Sequence, residues 1–427
     1  MRTSLSLAVA VPTAAARAAC LSAPTGLPAD GSVVDAAADA TVDAALPGWP
    51  AASVDIIGIA TGLVDTVDAF DDLIAVDASN GGSVYLLRGG VDVRFDRQSV
   101  TTYSKHGTFT GMAGSGPLRG PATATITKDT GGAPRVVVFD NPATGGVRIT
   151  VFDGDLSQTG QAQLASVPAA AMGATISLHP SIFGMNGGSV IGTTPTNVFF
   201  LEKGQLSLAT PMIVTPLDTG GGRAAMTSIV VADGYVATGP RFLVGQTKLA
   251  QRATPMTWTW STLRDETAAA MKAWTVQVTS SITADTAPDI VGFDPTGGSG
   301  GPNPSAVCVL DIEAGPPGVF DCVDTPFMGA TMVDIEVGGL VAGGGHDVAL
   351  LGVGGATADV FLLANLGFVG GNATAGMAMQ PGMFTITRPL MALAQLDADA
   401  TEILLVGGTG QVQCVKATTS PPSKCTP

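Results

Sequence analysis

The 427-residue sequence predicts an all-β fold, a seven-bladed β-propeller of four-stranded antiparallel blades. Three observations predict it. Short apolar segments recur through the chain at a near-constant interval. Each is followed, after a turn, by a second such segment. And 56 Gly with 28 Pro leave little room for long helices, because both are poor helix formers.

Residues 1–19 read as an export signal. Met1 and Arg2 give a short basic start, residues 3–16 are small and apolar, and Ala16-Arg17-Ala18 fits a small-x-small cleavage pattern. An ordinary Ala-rich tail is the plain alternative. Cys20 follows Ala18-Ala19, as in the small-small-Cys box of bacterial lipoproteins, where the Cys takes the lipid; Arg17 departs from that box. Residues 20–50 form an Ala/Asp-rich linker punctuated by Asp30, Asp35, Asp39 and Asp43. Past the N-terminus no stretch reaches the ~18 apolar residues of a membrane span. A membrane would be met only through the N-terminal lipid.

The body, residues 51–427, repeats. One set of apolar strands opens at Asp72, Arg135, Gly188, Asp233, Asp289, Asp347 and Glu402, at intervals of 45 to 63 residues with a mean of 55. The strands that follow open at Ser83, Val147, Asn197, Phe242, Ala306, Asp359 and Val412. Asp77, Asp140 and Asp294 end three of the first set before Gly-containing turns, which is hairpin chemistry. Each unit has room for a strand before the pair, as at 54–59 and 175–178. It also has room for one after, as at 257–261, where Trp258 and Trp260 alternate with Thr. Four short strands in each of seven units is the pattern of propeller blades, whose stacking covers the apolar inner strands on both faces. The one strong helix candidate, 263–274, reads as a connector between the fourth and fifth units.

The five Cys are Cys20, Cys308, Cys322, Cys414 and Cys425. Cys308 and Cys322 are 14 apart, Cys414 and Cys425 are 11 apart, and each gap holds Pro-rich turn material. Each pair can staple two neighbouring antiparallel strands, although four Cys allow three pairings. Cys308 and Cys414 occupy the same place in two copies of one strand. Two disulfides with one Cys left at the lipid position suit an exported protein.

The strand openings resemble the FG-GAP and VCBS-type repeats of integrin α-subunit-like β-propellers, where D-x-D-G-D-G-x-x-D-L leads into a strand. The best copies are Asp65-Thr-Val-Asp68-Ala-Phe-Asp-Asp72-Leu, Asp285-Thr-Ala-Pro-Asp289-Ile and Asp397-Ala-Asp399-Ala-Thr-Glu402-Ile. All three lack the Gly of the turn, and the middle units lack the carboxylates. The resemblance implies Ca²⁺ held by Asp65, Asp68, Asp72, Asp285, Asp289, Asp397, Asp399 and Glu402, since calcium takes six to eight oxygen ligands. Read without it, the same residues are turn caps and no cofactor is called for.

Other chemistry is sparse. With 20 Lys+Arg against 35 Asp+Glu the net charge is −15, which argues against a nucleic-acid partner. His106, His179 and His346 fall in different units without metal-ligand spacing. Asn372-Ala-Thr374 matches a glycosylation acceptor, a short motif that by itself carries little. No catalytic set is visible. The expected function is therefore that of a non-catalytic, exported or surface-anchored propeller, monomeric, that binds a protein or polysaccharide at a loop face. The alternative is a propeller hydrolase or lyase whose residues converge from several blades on the central channel.

Overall fold

The structure, a computed structural model, describes residues 54–64, 69–79, 82–89, 104–108, 122–129, 131–140, 147–164, 177–180, 190–193, 198–201, 229–232, 241–244, 248–254, 257–262, 274, 276–280, 282–283, 289–295, 305–311, 319–327, 330–341, 345–355, 357–379, 381–396, 401–407, 410–417 and 423–424. All belong to one compact unit, 45–427. Among the described residues there is no α-helix, and every strand pairs antiparallel with the next in sequence or nearly so. Of the helix expected at 263–274, only Trp274 is described, and it is not helical; the rest lies outside the described residues.

The first sheet runs β1 (Ile56–Gly62), β2 (Asp72–Asp77), β3 (Ser83–Leu87), β4 (Ser104–Thr108). The second runs β5 (Thr123–Lys128), β6 (Pro134–Asp140), β7 (Val147–Asp153), β8 (Gln158–Leu164). The third contains β9 (Ser177–Pro180), β10 (Val190–Thr193) and β11 (Val198–Leu201). The fourth runs β12 (Ile229–Ala232), β13 (Arg241–Val244), β14 (Lys248–Thr254), β15 (Thr257–Thr262). The fifth runs β16 (Val276–Ser280), β17 (Asp289–Asp294), β18 (Ser305–Asp311), β19 (Val319–Thr325).

The rest of the chain forms one nine-stranded sheet. Its path is β20 (Thr331–Gly338), β21 (His346–Gly354), β22 (Thr357–Val369), β25 (Gly382–Ala394), β26 (Glu402–Gly407), β27 (Val412–Lys416), β28 (Ser423–Lys424). The short β23 (Asn372–Thr374) and β24 (Met377–Ala378) pair with β22 off this path. β25 serves two neighbours. Its first part pairs with β22 from Gly382↔Val360 to Thr385↔Thr357. Its last part pairs with β26, at Ile386↔Gly407 and then, after a register break that spans Arg388 and Pro389, from Met391↔Leu405 to Ala394↔Glu402. The strand therefore changes partner between Thr385 and Ile386; the break beyond it lies within the β25–β26 ladder, where Pro389 has no N–H to give.

Strand pattern explains the layering. β2 (DLIAVD) and β17 (DIVGFD) are buried at every position, so both faces of each must be covered. The covering comes from neighbouring sheets. Ile74, Val76, Val84 and Leu86 of the first sheet pack with Val136, Val138 and Phe152 of the second. Val291, Val307 and Val309 of the fifth pack with Ile335, Val348 and Leu350. On the far side of the fifth sheet lie Trp274, Ile290, Cys308 and Leu310.

The last strands return to the first. Ile56, Leu73, Ala75 and Leu87 share a core with Ala394, Leu404, Val406 and Val412. Hydrogen bonds reinforce this seam. Asp71 N–H donates to Gln395 O at 2.9 Å, and Gln395 N–H donates to the Asp71 carboxylate at 2.9 Å. Thr61 Oγ1 donates to Leu393 O at 2.6 Å, and the half-exposed Arg388–Asp55 pair sits alongside at 2.9 Å. Across the unit, β1 packs on β5, β5 on β9, β9 on β12, β12 on β16, β16 on β20, β20 on β25 and β25 on β1. The contacts make a closed circuit of strands.

In the fourth unit the segment expected to open at Asp233 lies outside the described residues. The one expected to follow it, at Phe242, falls on β13, the second strand of its sheet rather than the third. Apolar content alone does not number strands within a unit.

Gly292 gives this packing a direct test. A Cβ there would lie 2.0 Å from Trp274 Cε3, and Trp274 is fully buried. Gly292→Ala should destabilise the protein by about 1–3 kcal/mol, the usual cost of overpacking, read as a lower thermal midpoint.

Candidate functional site

Most buried carboxylates here hold backbone. Asp72 opens β2; its oxygens accept Val64 N–H at 2.8 Å and Gly89 N–H at 2.9 Å. Asp347, next to the start of β21, accepts Leu340 N–H at 2.8 Å, Val341 N–H at 2.7 Å and Asn365 N–H at 2.9 Å. Asp289 opens β17 and accepts Ile282 N–H at 2.8 Å, Thr283 N–H at 2.7 Å and the Thr283 hydroxyl. One device recurs in three sheets: a carboxylate at the head of the second strand gathers the donors of the loop before it. Burial still pushes the Asp289 carboxyl up, with the Asp311 charge adding to it against those donors. In the second sheet Asp129 does comparable work from a hairpin, accepting Gly131 and Ala133 N–H and the Arg135 guanidinium. Although its burial opposes this, those donors hold its carboxyl below the ordinary value.

Of the eight carboxylates that the FG-GAP resemblance implies for calcium, two have described side chains. Asp72 and Asp289 both have each oxygen turned to a protein donor, which is cap geometry and fits a cation cage poorly. Asp65, Asp68, Asp285, Asp397 and Asp399 lie outside the described residues, and of Glu402 only its place at the head of β26 is described. Among the described residues no three His, Cys, Asp or Glu come together as a metal group.

The strand-ending aspartates also serve structure. Asp77 accepts Asp55 N–H, Ser79 N–H and the Ser79 hydroxyl, fixing the turn after β2. Asp140 and Arg148 stand opposite one another on β6 and β7 as a fully buried, bidentate ion pair, with Nε to Oδ1 at 2.6 Å. Cys308 and Cys322, directly opposed on β18 and β19, form a disulfide. Cys414 is disulfide-bonded too; Cys425 lies outside the described residues, as does Cys20. The three histidines stand on β4, β9 and β21, in three different sheets.

The pair that sequence reasoning missed is Asp334 and Glu336 on β20. Met332, Ile335 and Val337 of this strand join the core shared with the fifth sheet. A register break between Met332 and Asp334 leaves Val333 unpaired, a β-bulge. It breaks the alternation, so Asp334 and Glu336 come out on the opposite face, toward β25. There Asp334 accepts Met391 N–H at 3.2 Å, and its other oxygen accepts Ile335 N–H at 3.0 Å. Burial pushes the Asp334 carboxyl up to about 7 against those two donors. Burial, and then the neighbouring Asp334 charge, pushes Glu336 well above its ordinary value. Carboxyls displaced upward in this way are candidates for binding, holding or passing protons. The signal in the sequence is D-x-E inside an otherwise apolar strand, TMVDIEVG. Its facing depends on a bulge that no residue type announces.

No protein-family model matches this sequence, and no curated protein matches it. Among solved structures it is similar to the BP39L lectin from Burkholderia pseudomallei, with TM-score 0.50 and 13% identity over 87% of this chain and 100% of that one. It also aligns with BBS1N in its complex with ARL6DN, with TM-score 0.44 and 11% identity over 86% of this chain and 94% of that one. The first likeness shows the class of fold: an all-β, antiparallel, β-propeller-like protein.

Two measurements probe these carboxylates. Asp347→Ala strands three backbone donors at about 1–3 kcal/mol each, so urea unfolding should show a loss of at least about 3 kcal/mol. Asp334 binds its proton up to about pH 7 in the folded state, while the unfolded chain releases it near its ordinary value of 3.8. Between those values the folded state holds the extra proton, so stability falls as pH rises through the window. Asp334→Asn should flatten that part of a thermal-midpoint-versus-pH curve and raise the midpoint at pH 8.

Proposed function

We propose that this chain is an exported, seven-bladed β-propeller of four-stranded blades that binds a protein or a polysaccharide through loops at one end of its sheets. The closed strand circuit supports the blade number. In this reading the nine-stranded sheet is two blades, parted within β25 between Thr385 and Ile386, where its partner changes. β20, β21, β22 and the first part of β25 make one; the last part of β25 with β26, β27 and β28 makes the other. The lectin among the structural neighbours makes carbohydrate the first ligand class to try.

The observation that carries the export reading is covalent. Cys308 and Cys322 are joined and Cys414 is disulfide-bonded, and stable disulfides belong to oxidising compartments. With residues 1–19 as signal and Cys20 as lipid acceptor, the propeller would be held at the cell envelope by a linker, 20–50. Calcium in the strand-opening turns is the part of the FG-GAP resemblance still to be tried, and calorimetry with Ca²⁺ and then chelator tests it directly.

The full chain should be expressed with its N-terminus intact, fractionated, and probed on immobilised glycans and surface-protein extracts. The expected outcome is recovery in the envelope or medium with the first 19 residues removed, and saturable binding to one ligand class. A cytoplasmic protein with an intact N-terminus would overturn the export reading. Chemical turnover of a bound polysaccharide would replace binding with the enzyme alternative.

A further inference from the structure

Where the first sheet meets the second, their loops converge at one end of the strands. Asp72 accepts Gly89 N–H at 2.9 Å, which pins the end of β3 beside the head of β2. A Cβ on Gly89 would lie 3.0 Å from Phe70 Cβ, so the half-buried Phe70 stands next to that strand end. Val84 and Leu86 of β3 pack on the second sheet, and by alternation Arg88 shares their face. The exposed Arg88 donates from Nη2 to Gly154 O at 3.4 Å, reaching across to the β7–β8 hairpin. A Cβ on Gly154 would lie 3.1 Å from Pro134 Cγ and 3.3 Å from Val64 O. Leu63, the residue before Val64, is 40% exposed.

The hairpin is held in an unusual shape. Leu156 has φ 62, one of two non-Gly residues with positive φ among the described residues. Its side chain enters the core that the two sheets share, and Asp155 is left exposed beside Gly154. Backbone strain of this kind gathers at binding sites. The result is an apolar surface, Leu63 and Phe70, with a donor and an acceptor at its edge, Arg88 and Asp155. Other charges nearby are engaged: Asp71 with Gln395, Asp129 with Arg135, Asp72 with backbone. No excess of positive charge forms here, and a chain of net charge −15 repels a polyanion. A pyranose ring offers the matching chemistry, an apolar C–H face with a rim of hydroxyls that both donate and accept.

We propose that Leu63, Phe70, Arg88 and Asp155 bind a neutral hexose unit of a polysaccharide. The C–H face lies on Phe70 and Leu63, and neighbouring hydroxyls accept from the Arg88 guanidinium and donate to the Asp155 carboxylate. This rests on the polysaccharide reading above and gives it a site, at the seam of the first two sheets, and a class of sugar.

Saturation-transfer NMR on the full chain tests this, with the methyl glycosides of glucose, galactose and mannose at millimolar concentration. The expected result is saturable transfer to one of them, with affinity weakened about tenfold or more in Arg88→Met and in Phe70→Ala. Met383→Ala, at an exposed position of β25, should bind as the native chain does. Should Phe70→Ala not fold, Asp155→Ala takes its place, since Asp153 also accepts Ser157 N–H and keeps the hairpin tied. Native affinity in the Arg88 and Asp155 variants would overturn the site while leaving a carbohydrate-binding protein. Transfer to none of the three sugars would also overturn it, and binding to immobilised glycans then judges the polysaccharide reading by itself.

Discussion

Every other feature of this protein answers to one constraint: its central strands are apolar on both faces. A sheet built on DLIAVD or DIVGFD cannot end a stack, because its outer face would remain in water. Each sheet needs two neighbours, and a row of such sheets is satisfied only when the last covers the first. The seam of Ile56, Leu73 and Leu87 with Leu404, Val406 and Val412 does this. At about 1.5–3 kcal/mol for each large side chain, six of them supply an amount comparable to the whole net stability of an ordinary domain. Closure is thus a condition of folding here.

An apolar, sheet-rich chain faces a second demand, which is to satisfy the backbone where strands stop. Helix caps are not at hand, so aspartate does the work. Asp72, Asp289 and Asp347 each gather N–H groups from the loop ahead of the second strand, and Asp77 does the same at a strand end. A buried carboxylate with two or three donors is an inexpensive way to fix a loop, since a bond to a charged acceptor contributes more than a neutral one. Acidic residues that suggest cation binding in a sequence are, at the described positions, part of the frame. Asp334 and Glu336 differ: Asp334 has a backbone donor at each oxygen, yet both carboxyls are displaced upward.

The covalent link follows the same geometry. Cys308 and Cys322 face each other on paired strands of the fifth sheet, in the cluster that contains Trp274. Closing a loop of this length stabilises by about 3 kcal/mol through the unfolded chain. It also tethers β19, whose Asp321 holds Ala373 of the β22–β23 hairpin at 2.8 Å. The disulfide thus fixes the strand on which the next sheet's hairpin rests.

The sequence by itself marked many of the apolar strands, their recurring spacing, the all-β class, and Cys308 with Cys322 as one of the pairings open to four Cys. These depend on local content: β-branched runs, Asp and Gly at turns, and the distance between residues. It also marked Asp72, Asp289 and Asp347 as special, but not what they do, because the donors they hold come from other strands and loops. Only the tertiary structure decided that β25 serves two partners, β22 and then β26, since the apolar pattern of a strand does not name its neighbours. Only it decided that Asp334 and Glu336 turn toward β25, because one unpaired residue, Val333, reverses the alternation that the pattern implies. Pattern fixes what a segment is; which face it shows, and to whom, is set by neighbours that lie far away in the chain.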